Sequence, residues 1–479
     1  MKEVYLEYKE IFKKFLCNKF YIISIIIISI LAYGFYITNY SVGVDDFSQD
    51  RYVTGTYLLS QGRWGNVFFA RLFNMSYFVP FWTEFVSVIL LIIMSTILAT
   101  FIKKEIGYIV DKNIYYVLFS GILISYPIIH HIFLYNFANV ITVVSDTVMI
   151  IIAIIIYENI FNLKEEKLPI ICCIVLPFFI SMYEASCQTF LAVIFIIAFI
   201  SLCKNDKEKK KTFNYIVTAI FILAISIILN IIISSIIIKV LEINGKLMPD
   251  YSAKYMPWLK ENIIDCIRAL RYNIINVYIK EVSKLYYIAI FFVIAIISIS
   301  TSIIQSIKNK NLNYIVLVLF AIIANFAINV IQIRVLYRTS TSWSITIAFM
   351  LLYLLIYYRK CEFVKNILIF TSIFTILYNT KTLTYFFYNE NVRYERERQI
   401  AYDIANTIIR TCDKHNKPLV FVPYENVEVQ VNSINYDNGW PVIGWGLWAF
   451  GEPGTETTKF INSLGYNFNC ATIRYFGAS

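Results

Sequence analysis

A succession of long apolar runs constrains this chain more than any other feature. Residues 213–238 read FNYIVTAIFILAISIILNIIISSIII without one charged side chain, and comparable runs recur between residues 20 and 387. A helix needs roughly 20 apolar residues to cross a bilayer core. Only 15% of the chain is charged and 58% is hydrophobic, whereas a soluble domain carries about 25% charged residues. Inside a bilayer every backbone N–H and C=O must be satisfied within the protein, and helices do this segment by segment. The expected fold class is therefore an all-α polytopic membrane protein. The runs place about eleven membrane helices, at 20–40, 78–101, 114–134, 138–160, 168–185, 186–203, 213–239, 285–306, 312–332, 339–358 and 363–387. The fifth and sixth share one run, broken at Tyr183-Glu184, and also fit a hairpin of short helices.

The loops set the orientation. With the amino terminus inside, the inner loops carry 20 Lys and Arg and the outer loops 12. Lys and Arg resist translocation, so the richer side is cytoplasmic. This puts 41–77, 241–284 and the tail 389–479 outside. The net charge of +10 reads as topology control and not as a nucleic-acid surface. Segment 1–19, with Lys2, Lys9, Lys13, Lys14 and Lys19, reads as an amphipathic lead-in.

Two domains are expected, a transmembrane domain over 1–388 and a small outer domain over 389–479. In the tail, 393–414 has helical Ile and Ala spacing, PLVFV (418–422) and ATIRY (471–475) read as strands, and TETTKFINSLG (455–465) reads as a helix with a Gly stop. Together they suggest a small α/β domain. Nine scattered cysteines form no metal-type CxxC spacing. Nothing in the sequence requires a cofactor or a divalent cation.

Polar residues are concentrated in 41–77, where Asp45 and Asp46 follow the first apolar run and Arg51, Arg63, Trp64 and Arg71 come next. Intramembrane polar residues are costly and mark function. Glu84, Asp146 and Glu184 fall toward the outer ends of their runs, and Asn325, Asn329 and Gln332 form one polar face rising to Arg334 and Arg338. The inner halves carry little beyond Ser, Thr, Tyr, a few amides and Glu158 near the inner boundary, so a site worked from the outer face is expected. Each residue has a plainer reading. The aspartates fit a solvated turn or a general base for a hydroxyl. The arginines fit snorkelling or helix capping, or a bidentate phosphate clamp. Asp146 fits a helix–helix hydrogen bond, Tyr183 and Glu184 a helix break, and His130-His131 an interface without a third metal ligand.

Asp45-Asp46, the Gly62-Arg63-Trp64 context, the SMYEAS segment (181–186) and the IRVLYR segment (333–338) together resemble the GtrII-type glucosyltransferases, polyprenyl-phosphate-sugar-dependent GT-C enzymes. The family tends to have Tyr-Gln where this chain has Tyr183-Glu184. The resemblance implies a GT-C-like transmembrane domain that takes a hexose, typically glucose, from undecaprenyl phosphate. The acceptor would be a surface glycan such as an O-antigen, a teichoic acid or another wall polymer. Asp45 or Asp46 would then be the base. Arg63, Arg334 and Arg338 would stabilise the leaving phosphate, and Trp64 and Trp258 would stack on sugar. Arg51, Glu84, Asp146, Tyr183 and Glu184 complete the expected substrate-binding set, and 241–284 is expected to form a partly helical cover. The bare inner halves speak against a flippase or transporter. A surface-glycan polymerase or ligase differs mainly in donor size, and a scaffold leaves the outward polar cluster unexplained.

Overall fold

The computed structural model describes residues 2–42, 56–73, 79, 81–109, 112–134, 139–205, 208–241, 257–259, 261–281, 289–333, 340–411 and 455–467. They are overwhelmingly helical, with no strand among the described residues. In chain order the helices are α1 (Lys2–Cys17), α2 (Lys19–Thr38), α3 (Thr56–Ser60), α4 (Trp64–Leu72), α5 (Trp82–Ile106), α6 (Asn113–Ser125) and α7 (Ile129–Phe133). Next come α8 (Asn139–Glu158), α9 (Lys167–Met182), α10 (Ser186–Lys204), α11 (Lys209–Val240) and α12 (Ile263–Tyr272). The last are α13 (Ala289–Lys308), α14 (Asn313–Ile323), α15 (Ala327–Ile331), α16 (Ser342–Tyr357), α17 (Glu362–Thr411) and α18 (Thr455–Ser463). Among the described residues, 8 helices are long and apolar enough to cross a membrane. The shorter apolar helices α6, α9 and α16 fall on three further expected runs.

Polar side chains join the helices where hydrophobic burial gives little drive for association in lipid. The Tyr21 hydroxyl meets Thr96 Oγ1 at 3.2 Å and Ser120 Oγ at 2.8 Å, tying α2 to α5 and α6. Close approach matters as much. A Cβ on Gly121 would press on Ile28 of α2 and Ile376 of α17, so glycine lets both helices seat on α6.

Antiparallel succession gives the bundle two ends. At one end the chain breaks between α9 and α10, and the hairpin α3–α4 folds back. At the other lies an ionic knot that the sequence reading missed. Lys104 pairs with Glu158 at 2.5 Å, and Tyr8 donates to the same carboxylate at 2.6 Å. Lys204 pairs with Glu105 at 2.9 Å, and Tyr157 donates to it at 2.7 Å. Glu105 and Glu158 are buried, and buried carboxylates persist only with such partners. Burial and the Glu158 charge push the Tyr8 phenol far above its usual range, so it stays a donor. The sequence reading already placed Glu158 near a helix end, and the structure adds Glu105 beside it. Glu105 sits beside Lys103 and Lys104, in what reads as a plain topology cluster, and only packing turns it inward.

The helix expected over 393–414 is not separate. It is the distal part of α17, which runs unbroken through residues 388 and 389 and spans about 75 Å at 1.5 Å per residue. The helix expected over 455–465 is α18, followed by Gly465 at φ +98°. Phe460 and Ile461 of α18 pack on Tyr394, Ala401 and Ala405 of α17 and on Val42. The two expected strands lie outside the described residues.

Candidate functional site

Four consecutive residues, 63–66, build the site end. Gly62 turns the chain between α3 and α4 at φ +80°, a left-handed conformation suited to glycine. The Gly62 and Arg63 amides bond back to the Leu59 and Leu58 carbonyls. Arg63 then forks onto Glu184, Nε to Oε2 at 3.0 Å and Nη2 to Oε1 at 2.6 Å. The Trp64 indole N–H donates to Asn230 of α11 at 2.8 Å, and its ring meets Phe178 edge-on. The Gly65 amide donates to Ser181 Oγ at 2.8 Å, and Asn66 Nδ2 to the Met182 carbonyl at 3.2 Å. A Cβ on Gly65 would overlap Ser181 Oγ and the Phe178 carbonyl oxygen. So Gly62-Arg63-Trp64 and SMYEAS, distant in sequence, meet residue against residue.

The Tyr183-Glu184 break is real. Tyr183 is extended (φ −156°, ψ 110°) at the end of α9, and the Ser186 and Cys187 amides close the turn onto Tyr183 and Glu184. The turn is what presents Glu184 to Arg63. Asp146 is fully buried. Its Oδ2 accepts from the Thr341 amide at 3.0 Å and the Thr341 hydroxyl at 2.7 Å, at the start of α16. A carboxyl acceptor suits this helix N-terminus, where backbone N–H groups lack intrahelical partners. The Ser186 and Thr189 hydroxyls lie beside it, and Cys187 lies within electrostatic reach of both Asp146 and Glu184. Glu84 is buried in the first turn of α5, and its Oε2 has no partner among the described residues.

Asp45, Asp46, Arg51, Arg334 and Arg338 lie outside the described residues. The chain entering 43–55 is held from α17. Arg393, buried between Glu390 and Glu397, donates to the Val42 carbonyl at 2.9 Å, and Asn391 to the Tyr40 carbonyl at 3.1 Å. Parts of 241–284 are helical, and they dock at the same end. Trp258 Nε1 donates to the Val330 carbonyl at 2.6 Å, and Asn273 Nδ2 bonds the Ile333 carbonyl. Asn325 turns its amide onto Ala321, Ile322 and Thr346 at a short 3-10 break between α14 and α15. His130 is buried against Phe386 and Phe387. No group of three metal-ligating side chains occurs among the described residues.

Sequence reasoning missed Asn66, Ser181, Asn230 and Thr341. Asn230 had a signal, as an amide deep within a long apolar run. The others are small polar residues whose roles appear only across helix contacts.

These features define a multi-pass membrane protein with the Arg63–Glu184 and Arg393–Glu397 pairs at the end opposite the Lys104–Glu158 knot. The profile of the family described as glucosyl transferase GtrII matches residues 34–357. The chain belongs to that family and is a membrane glucosyltransferase. The match opens near the end of α2 and closes with α16, so it contains residues 63–66, the α9–α10 turn and the Asp146–Thr341 link. No curated protein and no solved structure matches the chain.

Proposed function

We propose that this chain moves a glucosyl group from a polyprenyl phosphate to a cell-surface glycan, at the outer face of a bacterial cytoplasmic membrane. One observation carries the reading. The described residues on either side of the stretch that carries Asp45 and Asp46 are held in place, 40–42 by α17 and 63–66 by α9, α11 and the α9–α10 turn. Catalytic groups on a loop act only when the loop is positioned by a rigid scaffold.

In the proposed step, Asp45 or Asp46 takes the proton from an acceptor hydroxyl. The oxygen attacks the anomeric carbon, and the bond from that carbon to the phosphate oxygen breaks. The products are the glucosylated glycan and polyprenyl phosphate. Charge develops on the leaving phosphate, where preorganised cations have most effect. Arg334, Arg338 and Arg63 are the proposed donors, with Glu184 fixing the Arg63 guanidinium plane. Three further proposals complete the reading: eleven spans, a GT-C-like arrangement with a cytoplasmic amino terminus, and an outer tail.

Mass analysis of surface polymers from a deletion strain tests the reaction. A hexose increment should vanish and return with the wild-type gene but not with Asp45→Asn or Asp46→Asn. Normal modification in both single variants would overturn the base assignment. A cysteine at Trp440 tests the topology, in a background lacking Cys412 and Cys470. It should react with an impermeant thiol reagent on intact cells, and reaction only after lysis would reverse the orientation.

A further inference from the structure

Helix α1 is clamped across the knot end of the bundle, and the clamp fixes which of its faces looks outward. Phe15 is buried against Tyr21 and Tyr116, Tyr8 bonds Glu158, and Glu7 reaches Lys104 at 3.6 Å. These contacts lie at the ends of α5, α6 and α8, so α1 runs across helix ends and not alongside them. Val4, Tyr8, Ile11 and Phe15 share the inward face, as their 3–4 residue spacing requires.

The outward face carries an apolar row, with Phe12 half-buried, beside a lysine row, and Leu6 lies beyond the lysines. At 100° per residue, Tyr5, Phe12 and Leu16 fall within an arc of roughly 40°, and Lys2, Lys9 and Lys13 fill the adjacent arc of roughly 40°. Tyr5 is 63% exposed and Leu16 50%, and all three lysines are exposed. Glu3 and Glu10 lie toward the far flank. An apolar row beside a lysine row is the arrangement of a helix lying in a membrane interface. The covalent path agrees. A single residue, Asn18, joins α1 to the spanning helix α2, whose Phe20, Ile23, Ile27 and Ile30 face outward. This places α1 at headgroup level.

We propose that α1 is an interfacial helix that binds anionic phospholipid headgroups through Lys2, Lys9 and Lys13 while Tyr5, Phe12 and Leu16 enter the acyl boundary. Charge complementarity selects this occupant. Three lysines in one row favour a surface of phosphate monoanions over a zwitterionic one, and the preference weakens as salt rises. The helix also braces α5 and α8 through the knot, so bound anionic lipid stabilises the bundle end it covers.

The test uses the full chain. Native mass spectrometry of wild type, presented with phosphatidylglycerol and phosphatidylcholine, should show preferential retention of phosphatidylglycerol. K2Q/K9Q/K13Q should weaken that retention by at least about fivefold, whereas the control K308Q/K310Q should not. Unchanged melting of K2Q/K9Q/K13Q in phosphatidylcholine nanodiscs shows that the fold is kept. In a background lacking Cys17, Cys361, Cys412 and Cys470, a fluorophore on L16C should be quenched by a headgroup-region nitroxide lipid, and one on E10C should be quenched much less. Equal phosphatidylglycerol retention by wild type and K2Q/K9Q/K13Q would overturn the proposal. So would an unquenched L16C, or its protection by a co-purifying protein.

Discussion

The Arg63–Glu184 fork should behave as a coupled pair whose loss frees the loop it holds. Exposed ion pairs contribute roughly 0.2–1 kcal/mol, and breaking a fully buried pair costs about 3–5 kcal/mol. These two side chains are 18% and 23% exposed, and the contact is bidentate. Discounted for that residual solvent, R63Q or E184Q should each cost about 2 kcal/mol of loop docking. That is a factor of roughly 30 in an opening equilibrium. Hydrogen exchange read by mass spectrometry in nanodiscs reports the opening directly. The amides to follow are those of Gly62, Arg63 and Gly65, which bond Leu59, Leu58 and Ser181. Their protection should fall together in either single variant, while peptides from α16 keep theirs. In R63Q/E184Q no charge is stranded, so the cost should fall below the sum of the singles, with a coupling of about 1.5–2 kcal/mol. Unchanged exchange in the single variants, or additivity within about 0.5 kcal/mol, would refute the argument that the fork anchors the loop.

Gly65→Ala should undock α4 from α9 at about 2–4 kcal/mol, combining overpacking with a lost hydrogen bond. G65A/S181A should recover only part of this in the same exchange assay, because the Phe178 carbonyl still blocks the added carbon. Asp146→Leu strands the buried Thr341 amide and hydroxyl and should cost about 1–3 kcal/mol per unsatisfied donor, read as a lower melting temperature in nanodiscs, with Asp146→Asn milder. Arg393→Met leaves Glu390 and Glu397 buried without their cation. It should cost about 3–5 kcal/mol and raise exchange in the segment around Val42, whose carbonyl Arg393 holds.

Much of the membrane architecture was legible because hydrophobic run length is a local property with one dominant solution in a bilayer. The run at 213–238 could become little other than α11. The turn at Tyr183-Glu184 was legible for the same reason, as a polar interruption in an apolar run. The family was legible in short segments such as Gly62-Arg63-Trp64. The pairings among those segments were not. Arg63 read equally as a phosphate clamp or a snorkelling side chain, and its partner lies 121 residues away. Asp146 read as a helix–helix hydrogen bond and makes one, but its partner Thr341 lies 195 residues away. Glu105 was hidden beside two lysines.

Spacing along one helix fixes which face a residue occupies, but it carries no information about which other helix that face will meet. From sequence alone came the apolar runs that become helices, and the family. Tertiary packing alone decided that residues 63–66 close onto the α9–α10 turn, that α17 holds the entry to the aspartate loop, and that α1 turns its lysines outward. Each of these choices depends on side chains brought within hydrogen-bonding distance by helices whose order in space the chain order does not specify.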